Sequence, residues 1–281
     1  MAHATHLKTI EVNDTELHYV EQGAGVPVVF VHGGLGDFRT WGQQMEPFAE
    51  HYHAISYSRR AHYPNAWRGD YTSCPMDLHI EDLAALIRAL DVAPAHLVAN
   101  SYGGYICLFV ALRCPELVRS MSLAEPPVHP MLLRLPGGRE LFEQFMTSAW
   151  EPAGKAFAVD DLEGGVRLFI EGAVGKGEYE KLPPRVREGM MKNALEMKAA
   201  TVTDFSVHMP DLTCEDAARI KAPTLLLLGE NSPKKYSLIN NELARCMANT
   251  EQAPIPGAAH VLHSQNPEEH NRVVLDFLAR H

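Results

Sequence analysis

No two cysteines in this chain are spaced Cys-x-x-Cys, and neither a His-Glu-x-x-His run nor a clustered Cys/His spacing occurs. A structural zinc site and a metalloprotease-type centre are therefore not indicated. Gly-x-Gly-x-x-Gly and the Walker pattern are missing too, so nothing is laid out to cradle the phosphates of a nucleotide cofactor. No apolar run approaches the roughly 18 residues that a membrane span needs, and residues 1–11 hold no apolar segment of a secretory leader. Positive charge is scarce: 25 Lys and Arg against 35 Asp and Glu leave a formal net charge of -10. That balance opposes nucleic acid and acidic membrane surfaces electrostatically. A small-molecule partner is what these exclusions leave. The 5 cysteines (Cys74, Cys107, Cys114, Cys214, Cys246) are scattered and odd in number, so reduced thiols in a cytoplasmic setting are expected.

What is present is ample apolar material: 46% of 281 residues are hydrophobic and 21% charged, enough for one large core and too apolar for disorder. Short alternating runs on either side of Asn13-Asp14 predict an antiparallel hairpin. Val28–Val31 and Leu225–Leu228 are continuous apolar runs of the kind found in strands buried on both faces. Trp41, Met45 and Phe48 mark one face of a helix, as do Ile80, Leu83, Ala84, Ile87 and Leu90. Further strands are read at His53–Tyr57, in the run that ends at Ala99-Asn100, at Val118–Ala124 and around Ile255. From about Pro126 to Arg219 the pattern turns to helical segments, among them Leu141–Trp150, Gly165–Ala173 and Val186–Ala200. The expected class is α/β: a mostly parallel eight-stranded sheet with helices on both faces and a helical segment inserted after the sixth strand. Residues 1–125 and 220–281 form the core in this division, and 126–219 the insertion.

The chemistry is expected around Ala99-Asn100-Ser101-Tyr102-Gly103-Gly104. An apolar run ends, a serine follows, and glycines lead into Tyr105–Leu112, which reads as strand, tight turn, helix. Such a turn holds the serine in a strained conformation above the sheet and demands small flanking residues. Ala99 and Gly103 meet that limit, although Gly-x-Ser-x-Gly is the usual pattern. A serine hydroxyl needs a base, an acid to orient it and donors for the oxyanion. His260, in the loop Pro256–His260 after the last strand, stands where the base belongs in the order nucleophile, acid, histidine. His263 and His270 rank below it. Backbone N–H groups of Tyr102 and Gly34 are the oxyanion candidates.

His32-Gly33-Gly34, the Ser101 turn, the Leu225–Glu230 strand end and the Gly257–His260 loop together resemble the α/β-hydrolase superfamily over nearly the full chain. The resemblance implies cleavage of an ester, amide, lactone or thioester without a cofactor, with carbon-carbon cleavage and perhydrolysis as rarer outcomes. It also implies that the insertion is a cap covering the pocket. Two departures stand out. Where the family often has Asp-x-x-Gly-x-Gly after the fourth strand, this chain has Ser58-Arg59-Arg60-Ala61-His62-Tyr63; the arginines are either solvated or bind an acidic substrate group. Where many members carry the triad Asp after the seventh strand, this chain has Ser232 in Gly229-Glu230-Asn231-Ser232-Pro233. A subset uses an acid after strand six, which is where Glu125 stands, before Pro126-Pro127.

The reading is a serine hydrolase with Ser101 as nucleophile, His260 as base and Glu125 as orienting acid, acting on a small, largely apolar ester or lactone. Substrate contacts are expected from His32, Leu35, Arg59, Trp150 and Met191, with Phe145, Phe169, Met190 and Met197 as further lining candidates. Diketone cleavage and a hydrolase-like ligand receptor of slow turnover are the rivals. No metal is expected, and monomer and homodimer are both open.

Overall fold

Asn13 and Asp14 both adopt positive φ, which makes the mirror-image turn whose twist matches a two-stranded ribbon. In the computed structural model, which describes residues 6–67 and 75–281, this turn joins β1 (Lys8–Val12) to β2 (Thr15–Gln22). The apolar runs become β3 (Pro27–Val31), β4 (His53–Tyr57), β5 (Ala95–Asn100), β6 (Val118–Ala124), β7 (Thr224–Gly229) and β8 (Thr250–Ile255). The sheet order is β1-β2-β4-β3-β5-β6-β7-β8. β1 with β2 and β2 with β4 are antiparallel, and every later pair is parallel. Parallel strands need crossovers that put helices on both faces, which is why the central runs are apolar without alternation.

The core helices are α1 (Gly42–Ala49), α2 (Met76–Ala89) and α3 (Tyr102–Arg113). Trp41, Met45 and Phe48 share a buried face, and the rings of Trp41 and Phe48 each lie 5.1 Å from that of Phe30 in β3. Between β6 and β7 come α4 (His129–Leu132), α5 (Gly138–Phe145), α6 (Glu151–Ala158), α7 (Leu162–Ala173) and α8 (Glu178–Lys181). They are followed by α9 (Pro184–Met191), α10 (Ala194–Thr201), α11 (Phe205–His208) and α12 (Cys214–Arg219). After β7 stand α13 (Lys234–Cys246), α14 (Leu262–Gln265) and α15 (Pro267–Leu278).

Most of the insertion shares the main core through Val128, Met131, Phe145, Trp150 and Met209. A smaller cluster of Phe157, Val166, Tyr179 and Met197 closes on Leu35 from the loop after β3. The spacing over Val186–Ala200 predicts one helix, but the structure divides it between α9 and α10 at Asn193. That buried side chain accepts the Tyr63 N–H at 2.8 Å, and its amide nitrogen reaches Leu35 O, Asp37 Oδ2 and Gly189 O, each at 3.2 Å. Partners outside the helix compete with continuing it.

Reduced cysteines were the expectation, and the structure corrects it for one pair: Cys214 and Cys246 form a disulfide with Cα atoms 5.2 Å apart. Their separation of 32 residues carries no signal in the sequence; the packing of α12 on α13 creates the pair. Cys107 and Cys114 are free thiols, and Cys74 lies outside the described residues. No helix among the described residues is long and apolar enough to cross a membrane.

Candidate active site

β5 passes into α3 through the single residue Ser101, at φ 52° and ψ -127°. A left-handed φ strains any residue with a Cβ and persists only where the surroundings impose it. Here α3 crosses the end of β3 so closely that a Cβ on Gly103 would stand 2.3 Å from the Val31 carbonyl oxygen. Glycine is required at that position. The end of the neighbouring β6 repeats the pattern: Glu125 has φ 51° and is followed by Pro126-Pro127.

Three side chains meet above these strand ends. His260 Nε2 lies 3.0 Å from Ser101 Oγ, and His260 Nδ1 lies 2.7 Å from Glu125 Oε2. The other Glu125 oxygen accepts the Gly229 N–H at 2.8 Å and the hydroxyl of Ser232. Ser232, standing where many family members carry the acid, is thus a donor that holds Glu125. Glu230 faces away, accepting the Gly257 N–H at 2.8 Å in an exposed bond that tethers the histidine loop. With a carboxylate at Nδ1, the neutral imidazole carries its proton there and turns a lone pair toward the Ser101 hydroxyl. The arrangement can draw the serine proton.

Above Ser101 lies a cavity of about 660 Å³, the size of a small-molecule pocket. Gly34 and Tyr102 line it beside Ser101 and His260, as do Leu35, Phe145, Trp150, Phe169, Met190 and Met197. Three expected contacts are absent from the lining: Met191, His32 and Arg59. Met191 sits one residue past Met190, about 100° further round the α9 helix. Among the lining residues that carried no sequence signal are Tyr236 and His129. Tyr236 on α13 stacks on His260 with ring centroids 4.3 Å apart and its hydroxyl 3.4 Å from Nε2. His129 opens α4. Neither belongs to a motif, and only the docking of α4 and α13 on the sheet end brings them here.

Residues 28–273 match the model of the alpha/beta hydrolase family. The chain belongs to that family. Among its relatives is an (E)-2-((N-methylformamido)methylene)succinate hydrolase of Acinetobacter baylyi, 24% identical over 96% of this chain and 97% of that one. A non-heme chloroperoxidase of Streptomyces lividans is 31% identical over 96% of this chain and 99% of its own. Of solved structures, that of Est816, an N-acyl homoserine lactone degrading enzyme, superposes with a TM-score of 0.75 at 24% identity. The match covers 96% of this chain and 100% of that one.

Within this alpha/beta hydrolase, the arginines after β4 are neither solvated nor in the pocket. Arg59 and Arg60 are 1% and 4% exposed. Arg60 pairs with Asp82 at 2.7 Å. The Arg59 guanidinium donates to Gly33 O at 3.1 Å, stands 5.1 Å from the Tyr102 ring centre and faces Glu196 of the insertion at 3.8 Å. It therefore supports the Gly33-Gly34 loop from behind. His32 is engaged in the same way: Nδ1 donates to Gly33 O at 2.8 Å, because Nε2 must accept the Arg59 N–H at 2.9 Å. His62 and His79 lie 3.6 and 3.3 Å from the Glu196 oxygens. Burial would raise the Glu196 carboxyl, but these histidines and Arg59 outweigh it and hold it well below its usual range.

Burial has the opposite effect on histidine. It is the main cause that holds His32, His62, His79, His129, His263 and His270 below the ordinary 6.5, with His79 and His263 pushed to about 3 and His270 to about 4. In the unfolded chain each titrates near 6.5, so below that pH the unfolded state binds more protons than the folded one. Stability present above about pH 6.5 is then lost as pH falls toward these depressed values, by about 1.4 kcal/mol per pH unit for each fully protonated unfolded histidine. Folding stabilities of about 5–15 kcal/mol are soon exhausted by several such groups. We expect cooperative unfolding near pH 5 with uptake of several protons, followed by circular dichroism and potentiometry. A fold intact at pH 3.5 would contradict this.

Proposed function

We propose that this alpha/beta hydrolase is a serine hydrolase of small, largely apolar carboxylic esters or lactones, acting through an acyl-enzyme. The observation that carries the reading is the unbroken Ser101–His260–Glu125 path on the floor of a mainly apolar cavity. His260 Nε2 takes the serine proton as Oγ attacks the substrate carbonyl carbon, and Glu125 steadies the resulting imidazolium. The N–H groups of Gly34 and Tyr102 donate to the oxyanion. Collapse expels the alcohol, which His260 protonates; water then enters, loses its proton to His260 and releases the acid. The inserted helices serve as a cap whose Phe145, Trp150, Phe169 and Met197 keep bulk water from the acyl group and shape an apolar bed. An apolar bed rewards burial of the substrate's hydrocarbon at roughly 25 cal/mol per Å².

The test joins labelling to turnover. A fluorophosphonate should modify one residue, mapped to Ser101 by mass spectrometry, and a panel of short-chain p-nitrophenyl esters and lactones should show many turnovers. Burst release that stalls near one equivalent would favour the ligand receptor, and two carbon fragments from a 1,3-diketone would favour carbon-carbon cleavage. Absence of labelling in folded protein would refute the serine mechanism.

A further inference from the structure

His129 borders the cavity in an unusual state, its two ring nitrogens closed off until a neighbouring side chain gives way. It is 2% exposed, packs on Phe145 with ring centroids 4.0 Å apart, and lies 6.4 Å from the ring of Tyr236, itself stacked on His260. Among the described residues, neither of its ring nitrogens has a hydrogen-bond partner, and it is the one buried histidine left so on both sides. Buried polar atoms are nearly always bonded, because leaving one unmet forfeits its interaction with water. An apolar side chain would complete this wall of Pro127, Phe145 and Trp150 without that cost. A residue that keeps a donor and an acceptor in such a wall, within a ligand-sized cavity, is matched to a ligand that brings polar atoms of its own.

Burial, helped by the nearby Lys235, holds the imidazole well below its ordinary range, so it is neutral, with one N–H donor and one lone pair. Lys235 Nζ is itself spent on the Ala173 carbonyl at 2.8 Å. A neutral donor-acceptor suits a ketone oxygen, which accepts the N–H, or a hydroxyl, which can do both; a carboxylate would be desolvated here, and Lys235, the cation whose charge reaches His129, is not among the lining residues. We propose that His129 binds a second, uncharged oxygen function of the substrate, placing the preferred substrate among oxo- or hydroxy-substituted esters and lactones. This rests on the hydrolase reading of the Ser101 site. It makes His129 a specificity residue: it touches the substrate two rings away from the scissile bond.

The experiment compares p-nitrophenyl octanoate with a series of oxo-octanoates whose ketone is walked along the chain. One ketone position should raise kcat/KM about 10- to 100-fold over the plain ester, the scale of one buried hydrogen bond made or left unmet. His129→Phe, which keeps the packing on Phe145 and removes both nitrogens, should bring that ratio to within about twofold. His129→Gln should restore part of it. Reading a ratio cancels any general loss of rate. A preference unchanged in folded His129→Phe, or a preference for an ω-carboxylate ester instead, would overturn the proposal. Calorimetry of the same esters on Ser101→Ala separates the two readings. Ketone-selective binding by Ser101→Ala that is lost in Ser101→Ala/His129→Phe, with wild-type protein hydrolysing neither ester, would sink the hydrolase and keep the subsite; equal binding of both esters by Ser101→Ala would sink the subsite.

Discussion

Ser101→Ala is expected to lower kcat on a short-chain ester by about four to six orders of magnitude. The loss is large because Oγ forms the covalent bond, so its removal deletes the route instead of weakening a contact. What survives is catalysis by the oxyanion donors and by binding alone. The fold should be unaffected, for two reasons. Oγ borders the cavity and packs against little, and alanine tolerates the φ of 52° no worse than serine does, both bearing one Cβ. Thermal melting should therefore hold within a few degrees while turnover disappears, and KM for residual activity should change little. A purified, folded Ser101→Ala protein with near wild-type kcat would remove the basis of the proposed mechanism.

Glu125→Gln should cost up to about four orders of magnitude in kcat, the scale seen when a triad histidine is held in the wrong tautomer. The hydrogen bonds of this site say why. Glu125 Oε1 accepts from the Gly229 N–H and from Ser232, so in glutamine the carbonyl oxygen keeps those two donors and the amide nitrogen is turned toward His260 Nδ1. An N–H there makes Nδ1 the acceptor and moves the imidazole proton to Nε2, where it points at Ser101 instead of receiving its proton. Glu230→Gln should cost less than about tenfold, since Glu230 only tethers Gly257. Measured kcat values ranked the other way, in two folded variants, would return the acid to the end of β7.

The geometry behind that ranking was partly legible in residue order. A strand that ends in Glu-Pro-Pro beside the nucleophile strand puts a carboxylate about 5 Å to one side, since neighbouring strands are spaced so. The serine at position 232 told only that no charge could come from there. That its hydroxyl braces Glu125 follows from Gly229, where a Cβ would stand 2.6 Å from Ser232 Oγ and 2.7 Å from the Ala258 and Ala259 carbonyl oxygens. Loops that close on one another so tightly leave no periodic trace in a sequence.

Strands, core helices and the nucleophile turn follow from local rules: apolar runs of strand length, amphipathic spacing, and a serine flanked by small residues with chemistry that needs it exposed. The sequence by itself therefore determined the α/β class, the sheet with its helical insertion, and the candidate roles of Ser101, His260 and Glu125. Tertiary structure alone decided the rest. Arg59 was expected either in solvent or on the substrate, because charge patterning cannot show that Glu196, 137 residues on, would descend from the insertion to meet it. Cys214 and Cys246, His129 and Tyr236 are likewise joined to their neighbours only when α4, α12 and α13 dock. Contacts of this kind arise between elements distant in the chain, so their positions depend on packing, which no local pattern of residues encodes.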